Sequence, residues 1–555
     1  MVTLPHLYIN HLTKTKIMAT LDWIILLGFL VALFFIVGYV LKRKKEDTSD
    51  YFLSGRSETW IAVGAAIFAA NIGSEHLVGL AGAGAESGLA MAHWEMQGWM
   101  ILILGWVFVP FYSFSKVFTM PEFLMKRFTK NTSSTLSIIT LISYVLTKVS
   151  VTAFTGGIFL ESVLGIDFWV AAIGLVLLTG LFTVLGGMKG IMLVSVIQTP
   201  ILLVGAITIL FLGLLHLGDG NVAGGWAEMV KYTGSNMHLI HSKGDPLYDK
   251  FPGIGVILGA SIIGFWYWCT DQHIVQRALA AKNLQHARRG TIFAGYLKVL
   301  PVFMFLIPGM VAAAINTKMG GTLFEGNDKA YGSLVAILLP VGVKGIVVVG
   351  FISALMTSLA AHFNSSATLF TIDFYKNYRP EASEKKLVLV GRLATVAVVV
   401  LGLVWIPIMK GLGSVLYEYL QNVQSLIAPA IAAVFLLGVF NRRITPKAGE
   451  WGLLIGFLVG MFRLVIMIFK PAAFDWLLEI NWLHFCLFLF FFTMALMVVI
   501  SFFTPKPGEE QIQGLTYFSR SPEQIAEVRS SWNYWDVIHS IVVIAICIVF
   551  YAIFW

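Results

Sequence analysis

A group of polar and ionisable side chains lies within residues 62–88, a segment that is otherwise apolar and rich in glycine. They are Asn71, Ser74, Glu75, His76 and Glu86. A charge at the centre of a bilayer costs about 2.5–3.5 kcal/mol on insertion scales, so a plain membrane anchor would not contain them. Glycines beside such residues indicate a helix that breaks in the membrane, where the freed carbonyls must line a cavity or bind something. Secondary transporters bind solute and coupling ion at such breaks; a kinked helix bonded to its neighbours is the alternative.

Hydroxyl side chains are concentrated in residues 351–375, and two of them, Thr357 and Ser358, are adjacent. In a helix the carbonyl of Ala354 lies close to these two side chains, three and four positions later. This carbonyl and the two hydroxyls, set against the free carbonyls of a broken helix, would form an uncharged cage of oxygen atoms. Sodium is a hard cation that prefers oxygen ligands, as calcium and magnesium do. Hydroxyls that bond back to their own helix are the alternative.

Other apolar runs also carry charged and amide side chains, namely Glu95, Lys148, Lys298, Gln421 and Gln424. Lys298 lies deep in its run, where an ionisable residue is a functional candidate by default. Glu95 is equally consistent with a site and with an interfacial position, whereas for Lys148 we favour a structural role beside a carbonyl or carboxylate. For Gln421 and Gln424, hydrogen bonds between helices and contact with a ligand are equally good explanations.

The composition is that of a membrane protein with many spans. Of the 555 residues, 58% are hydrophobic and 12% are charged, whereas soluble proteins carry about 25% charged residues. The net charge of +8 does not indicate nucleic-acid binding, because the basic residues lie in short loops where they set orientation. Cys269, Cys486 and Cys547 lie in or beside apolar runs, which argues against a disulfide or metal framework. No metal cluster, phosphate loop or nucleophile motif indicates an enzyme.

Apolar runs long enough to span a bilayer recur throughout the chain. We place them at residues 21–41, 59–86, 95–116, 133–163, 168–187, 191–217, 252–270, 290–315, 333–374, 386–409, 415–440, 450–469, 481–503 and 534–554. Alternate loops are rich in Lys and Arg, as in residues 42–45, 277–289 and 442–447. The positive-inside rule then predicts about 14 transmembrane helices with both termini outside.

Several long, nearly gapless stretches are those of a known family. They are FLSGRS (52–57), ANIGSEHLVGLAG (70–82), TMPEFLMKRF (119–128), TGLFTVLGGMKG (179–190), WYWCTDQHIVQRALAAKN (266–283) and FNSSATLFTIDFY (363–375). On these motifs the chain resembles the sodium/solute symporter family, most closely its sodium/glucose cotransporter branch. The resemblance implies an all-α polytopic membrane protein with a five-plus-five inverted-repeat transporter fold.

The same resemblance implies a division of the chain. The N-terminal extension and first extra helix would occupy residues 1–56, and the inverted-repeat transport core residues 57–440. Additional transmembrane helices would follow in 441–503, then a cytoplasmic loop in 504–533 and a last helix in 534–555.

Family roles transfer onto matching positions of this sequence. The implied sodium site comprises the carbonyls of Ala69, Ile72 and Ala354 and the hydroxyls of Thr357 and Ser358. The implied sugar site comprises Asn71, His76, Glu95, Tyr267, Trp268, Lys298 and Gln421. The positions that match the outer gate are Leu80, Trp94 and Tyr417, and Tyr267 matches the inner gate. These polar groups can bond several hydroxyls while aromatic rings cover apolar ring faces, which suits a hexose.

Some positions depart from the family's pattern. Gly264 stands where relatives can have a polar side chain that reaches the sugar, and Glu75 stands where the glucose branch often has glycine. Ser195 replaces an aspartate linked in some members to a second sodium, and Ala360 and Ala361 replace hydroxyls. With these departures we expect one sodium per sugar.

The expected function is therefore sodium-coupled symport of a neutral, glucose- or galactose-like hexose by alternating access, with sodium favouring the outward-open state. The expected partners are this sugar, a sodium ion and the lipid bilayer, without nucleic acid. We expect a multi-pass monomer or weak oligomer in the plasma (inner) membrane. The alternatives are symport of another solute, such as myo-inositol or an organic acid, and a membrane sugar sensor that does not transport.

Overall fold

A computed structural model of the protein describes residues 18–43, 47–73, 75–410 and 416–555. Almost all of these residues are helical, and β structure among them is limited to two isolated bridges. The longer helices are α1 (Thr20–Arg43), α2 (Trp60–Asn71), α3 (Lys130–Ser143), α4 (Ser150–Leu164), α5 (Phe168–Leu217), α6 (Val222–Thr233), α7 (Ile254–Phe265), α8 (Leu284–Val299), α9 (Ile307–Lys318), α10 (Val343–Leu369), α11 (Glu384–Lys410), α12 (Leu416–Phe440), α13 (Pro446–Phe469), α14 (Trp482–Phe503) and α15 (Tyr534–Phe554).

Shorter segments join or interrupt these helices. The short α-helices are Thr48–Leu53, Ala81–Ser87, Ala92–Glu95, Gly98–Ile103, Val109–Phe114, Met120–Arg127, Gln272–Leu279, Ala330–Leu338, Lys376–Tyr378, Asp475–Glu479 and Pro522–Ser530. Segments of π-helix are Glu75–Leu80, Leu104–Phe108, Tyr144–Val149, Trp266–Thr270, Val302–Leu306 and Phe370–Tyr375. Such segments disturb the regular hydrogen bonding of a helix and occur frequently at functional sites.

Among the described residues, ten helices are long and apolar enough to cross a membrane, or eleven if the bent pair Ile254–Thr270 and Gln272–Leu279 forms one span. The difference from the predicted fourteen arises where helices are bent or divided. The 50-residue α5 counts once although Gly187 has a non-helical conformation (φ 56°, ψ −157°) within it. Two further apolar helices, Thr20–Ile36 and Trp60–Asn71, are shorter. Fourteen spans, external termini and the domain division stay predictions.

The break predicted within residues 62–88 is confirmed. Helix α2 ends at Asn71, the backbone of Ile72 is extended (φ −80°, ψ 106°), and a helix resumes at Glu75. Ser74 lies outside the described residues. Glu86 does not belong with the buried polar group, because its side chain is 34% exposed and forms an ion pair with Lys250 at 3.3 Å.

Helices α2 and α8 approach each other closely in the part of the chain that leads to this break. A Cβ at Gly64 would lie 2.8 Å from the carbonyl oxygen of Gly290, so only a residue without a side chain allows the observed approach. The two backbones therefore come close enough for Asn71, at the end of α2, to contact Lys298, near the end of α8.

Motifs that are far apart in sequence contact each other at one end of the helical bundle. Asp373 accepts hydrogen bonds from Thr119 at 2.8 Å and from Ser137 at 3.0 Å. Gln272 accepts a bond from the amide of Met120 at 2.8 Å and donates to the carbonyl of Phe118. The start of helix Met120–Arg127 is thereby bonded both to the π-helical segment Phe370–Tyr375 and to helix Gln272–Leu279. Buried polar groups are generally paired in this way.

Candidate functional site

The polar residues of the broken helices surround an internal cavity with an empty volume of about 410 Å³. Every residue predicted for the sugar site lines this cavity: Asn71, His76, Glu95, Tyr267, Trp268, Lys298 and Gln421. The rest of its lining comprises Glu75, Trp94, Gln97, Lys148, Ile263, Gly264, Leu420 and Gln424. Like small-molecule sites in general, the cavity combines apolar walls with a few convergent polar groups.

A continuous polar network crosses the cavity. The ammonium of Lys298 donates to Oε2 of Glu95 at 2.5 Å and to Oδ1 of Asn71 at 3.1 Å. Nδ2 of Asn71 donates to the hydroxyl of Tyr267 at 3.2 Å, and Nε2 of His76 lies 3.5 Å from Oε1 of Glu95. Buried charges are tolerated when they are paired and hydrogen-bonded. The cavity therefore offers donors and acceptors to a ligand while its central charges compensate each other.

Gln97 was missed by the sequence interpretation and fills the space beside Gly264. A Cβ at Gly264 would lie 2.5 Å from Oε1 of Gln97, so the glycine is needed to admit this amide. Gln97 accepts a hydrogen bond from the indole of Trp268 at 3.1 Å and donates to the carbonyl of Ala260 at 2.8 Å. The amide of Gln97, at the N-cap of helix Gly98–Ile103, thus supplies a polar group on the side of the cavity where Gly264 lacks a side chain.

Lys148 also lines the cavity, although the sequence favoured a purely structural role. Its ammonium lies 4.4 Å from the centre of the Tyr267 ring and also interacts electrostatically with the carboxylates of Asp271 and Glu75, so a carboxylate is among its neighbours as predicted. A cation over an aromatic face is attracted by the electron-rich ring. The only available signal was a lysine within an apolar run, which does not reveal the neighbouring ring.

The predicted gate residues differ in their placement. Trp94 lines the cavity and stacks on Trp482 with ring centres 5.7 Å apart. Tyr267 lies in the π-helical segment Trp266–Thr270 and also faces the cavity. Leu80 is fully buried and is not part of the lining. The side chain of Tyr417 lies outside the described part of the chain.

The helix break frees the carbonyls predicted for sodium from their usual donors. In a continuous helix the amide of Gly73 would bond the carbonyl of Ala69, but it donates to Nδ1 of His76 at 3.4 Å. The amide of His76 would likewise bond the carbonyl of Ile72, but it donates to the carbonyl of Gly73 at 3.1 Å. Carbonyls released in this way are available to a cation.

The paired hydroxyls of α10 have different surroundings. Thr357 contacts the carbonyls of Ser353 and Ala354 at 3.0 and 3.2 Å and accepts a hydrogen bond from Gln198 at 2.7 Å. Oγ of Ser358 is completely buried and has no hydrogen-bond partner among the residues described. A buried hydroxyl without a partner is costly, and a cation at this position would satisfy it.

The positions linked to a second sodium supply few ligands. The hydroxyl of Ser195 donates back to the carbonyl of Ile191 at 2.8 Å, within its own helix. Ala360 and Ala361 are completely buried and have no side-chain oxygen.

A helical bundle with broken spans that meet at a buried polar cavity defines a polytopic secondary transporter. The model of the Sodium:solute symporter family matches residues 51–456, and the chain belongs to that family.

Named relatives include transporters of more than one solute. Sodium/myo-inositol cotransporter 2 of Mus musculus is 36% identical over 545 residues, which cover 92% of this chain and 80% of that protein. Sodium/glucose cotransporter 4 of Mus musculus is 36% identical over 516 residues, which cover 87% and 75% respectively. The fold is also similar to that of a substrate-bound, outward-open Na⁺-coupled sialic acid symporter, with a TM-score of 0.75, 18% identity, and coverage of 88% of this chain and 99% of that one.

Proposed function

We propose that the protein couples the entry of one sodium ion to that of one small, neutral, polyhydroxylated solute, such as glucose or galactose, by alternating access in the plasma (inner) membrane. The solute would occupy the cavity between Glu95, Lys298 and Gln421. The sodium ion would bind between the carbonyls of Ala69, Ile72 and Ala354 and the hydroxyls of Thr357 and Ser358. Sodium would bind the outward-open state more tightly than the other state of the cycle. It would thereby raise the protein's affinity for the solute.

The observation that carries this proposal is the pairing of the buried charges in the cavity. Since Lys298 is bonded to Glu95 at 2.5 Å, an entering carboxylate would meet a neighbouring negative charge where screening by water is weak. A neutral solute with several hydroxyls avoids that repulsion and can exchange hydrogen bonds with both charged groups and with the amides.

A cyclic polyol such as myo-inositol is a second candidate. The named myo-inositol and glucose cotransporters of mouse are equally similar to this chain, at 36% identity. Both solutes present a ring of hydroxyls, and the amide of Gln97 beside Gly264 is a group that could distinguish them.

The test is uptake of radiolabelled glucose, galactose, myo-inositol, proline and sialic acid into proteoliposomes, with and without a sodium gradient. We expect a hexose or the polyol to accumulate only with sodium, and unlabelled proline or sialic acid not to compete. Preferential uptake of either acid would contradict the neutral-solute assignment. A protein that binds the solute but does not exchange labelled for unlabelled solute across the proteoliposome membrane (counterflow) would instead support the sensor alternative.

A further inference from the structure

The carboxylate of Glu75 lies between the solute cavity and the predicted sodium site. Its side chain is buried, lines the cavity and begins the helix that follows the break. Oε2 of Glu75 has no hydrogen-bond partner among the residues that the structure describes. Neither the sugar site nor the sodium site, as transferred from the family, includes this residue.

Glu75 and Ser358 approach the same point of the broken helix. A Cβ added to Gly73 would overlap Oε2 of Glu75 and would lie 2.8 Å from Oγ of Ser358. The two oxygens, neither with a hydrogen-bond partner among the described residues, therefore border one small space beside the backbone of Gly73. The carbonyl of Ile72, another predicted sodium ligand, belongs to the adjoining peptide group.

Lys148 and Lys298 both interact electrostatically with Glu75, but among the described residues neither forms a hydrogen bond or a close ion pair with it. Lys298 donates to Glu95 and Asn71, and the ammonium of Lys148 lies over the ring of Tyr267. A carboxylate oxygen that is buried without a hydrogen bond is unfavourable unless a cation compensates it. Hard cations prefer carboxylate, carbonyl and hydroxyl oxygens, which are the groups that meet here.

We propose that the carboxylate of Glu75 is a further, anionic ligand of the sodium ion, which joins the ion site to the solute cavity. This inference rests on the proposed sodium coupling and adds to it the residue that neutralises the ion. A carboxylate attracts sodium more strongly than a carbonyl or hydroxyl does, so Glu75 sets the sodium affinity. Because Glu75 also faces the cavity, its ordering by sodium would prepare that wall for the solute.

The experiment is a titration of purified protein with NaCl in the absence of solute, at constant ionic strength kept with choline chloride. The readout is the unfolding temperature, which rises with the saturation of a site that only the folded protein has. The variants are Glu75→Gln, which keeps the size but removes the charge, and Glu75→Asp, which keeps the charge. The matched control is Glu86→Gln, at a half-exposed carboxylate paired with Lys250.

We expect Glu75→Gln to raise the half-saturating sodium concentration by about tenfold or more, because a charged ligand is replaced by a neutral one. Glu75→Asp should have a smaller effect, and Glu86→Gln should behave as the wild type. An unchanged sodium titration in Glu75→Gln, beside a weakened one in Ser358→Ala, would overturn the inference and leave sodium coupling intact. A wild-type protein that does not respond to sodium would overturn both.

Discussion

The ammonium of Lys298 and the carboxylate of Glu95 form an ion pair at 2.5 Å, with side chains that are only 3% and 1% exposed. Lys298 comes from the end of α8 and Glu95 from the short helix Ala92–Glu95, so the pair joins two elements across the cavity. Taking either partner away leaves an uncompensated buried charge, whereas replacing both leaves a neutral site.

This pair allows stability and solute binding to be separated. Lys298→Met alone should destabilise the protein by about 3–5 kcal/mol, because Glu95 would remain charged without its partner. The double variant Glu95→Gln/Lys298→Met should regain most of that stability but bind solute at least about tenfold more weakly, since hydrogen bonds to charged groups are lost. Thermal unfolding and solute binding at saturating sodium provide the two measurements. Normal solute affinity in the double variant would place the solute elsewhere.

The two hydroxyls of α10 should respond differently to removal. Ser358→Ala should weaken sodium binding with little change in the stability of the sodium-free protein, because its Oγ makes no internal hydrogen bond among the described residues. Thr357→Ala should also lower that stability by about 1–3 kcal/mol, because it leaves the amide of Gln198 without its acceptor. Sodium titrations of unfolding temperature test both.

The matched control for these variants is Ser365→Ala on the same helix. Ser365 donates to Gln276 at 3.1 Å and belongs to neither predicted site. Its loss should lower stability without changing the half-saturating sodium concentration. Wild-type sodium titration in Ser358→Ala would show that the oxygen cage is wrongly assigned.

Transport should move one sodium ion with each solute molecule. The hydroxyl of Ser195 is directed to its own helix, and Ala360 and Ala361 offer no side-chain oxygen, so a second cation would lack ligands. One sodium with a neutral solute carries a single charge, which gains about 2.3 kcal/mol per 100 mV of membrane potential. The reversal potential in proteoliposomes at fixed gradients measures this ratio. A value that fits two sodium ions would require ligands other than these side chains.

A carboxyl group outside the spans should make stability depend on pH. Asp328 lies against Gly82 of helix Ala81–Ser87, and burial, with a smaller contribution from the charge of Glu86, raises its pKa to about 6. Because the folded protein holds this proton more tightly than the unfolded chain, stability should fall as pH rises from about 4 to 6. Asp328→Asn should remove this part of the pH dependence, measured as unfolding temperature between pH 4 and 7.

The control for this prediction is Asp219→Asn, at a carboxylate whose side chain is 87% exposed. The stability difference between Asp328→Asn and the wild type should increase with pH, whereas that between Asp219→Asn and the wild type should not. A pH-independent difference at Asp328 would mean that folding does not raise the pKa of its carboxyl group.

The sequence alone determined the class of protein and much of the site's composition. High hydropathy identified a membrane protein with many spans, because a bilayer requires apolar surfaces and internally bonded backbones. Asn71, Glu75 and His76 could be singled out because polar groups near glycines are unusual in an apolar run, and Thr357 and Ser358 because they are neighbours on a helix. The resemblance supplied Tyr267 and Trp268, which composition would not have distinguished from core residues, and it assigned Gln421 to the sugar site.

Only the tertiary structure decided which of these groups meet. Glu95 and Lys298 are 203 positions apart and touch because the backbones that carry them approach closely at Gly98 and Gly295, where a Cβ at Gly98 would lie 2.7 Å from the carbonyl oxygen of Gly295. Gln97 lies against Gly264, and Glu75 approaches Ser358, because a helix break turns side chains in directions that no sequence period predicts. Contacts of this kind depend on the distance between elements and on the space that missing side chains leave, whereas sequence patterns report only the local preferences of each element.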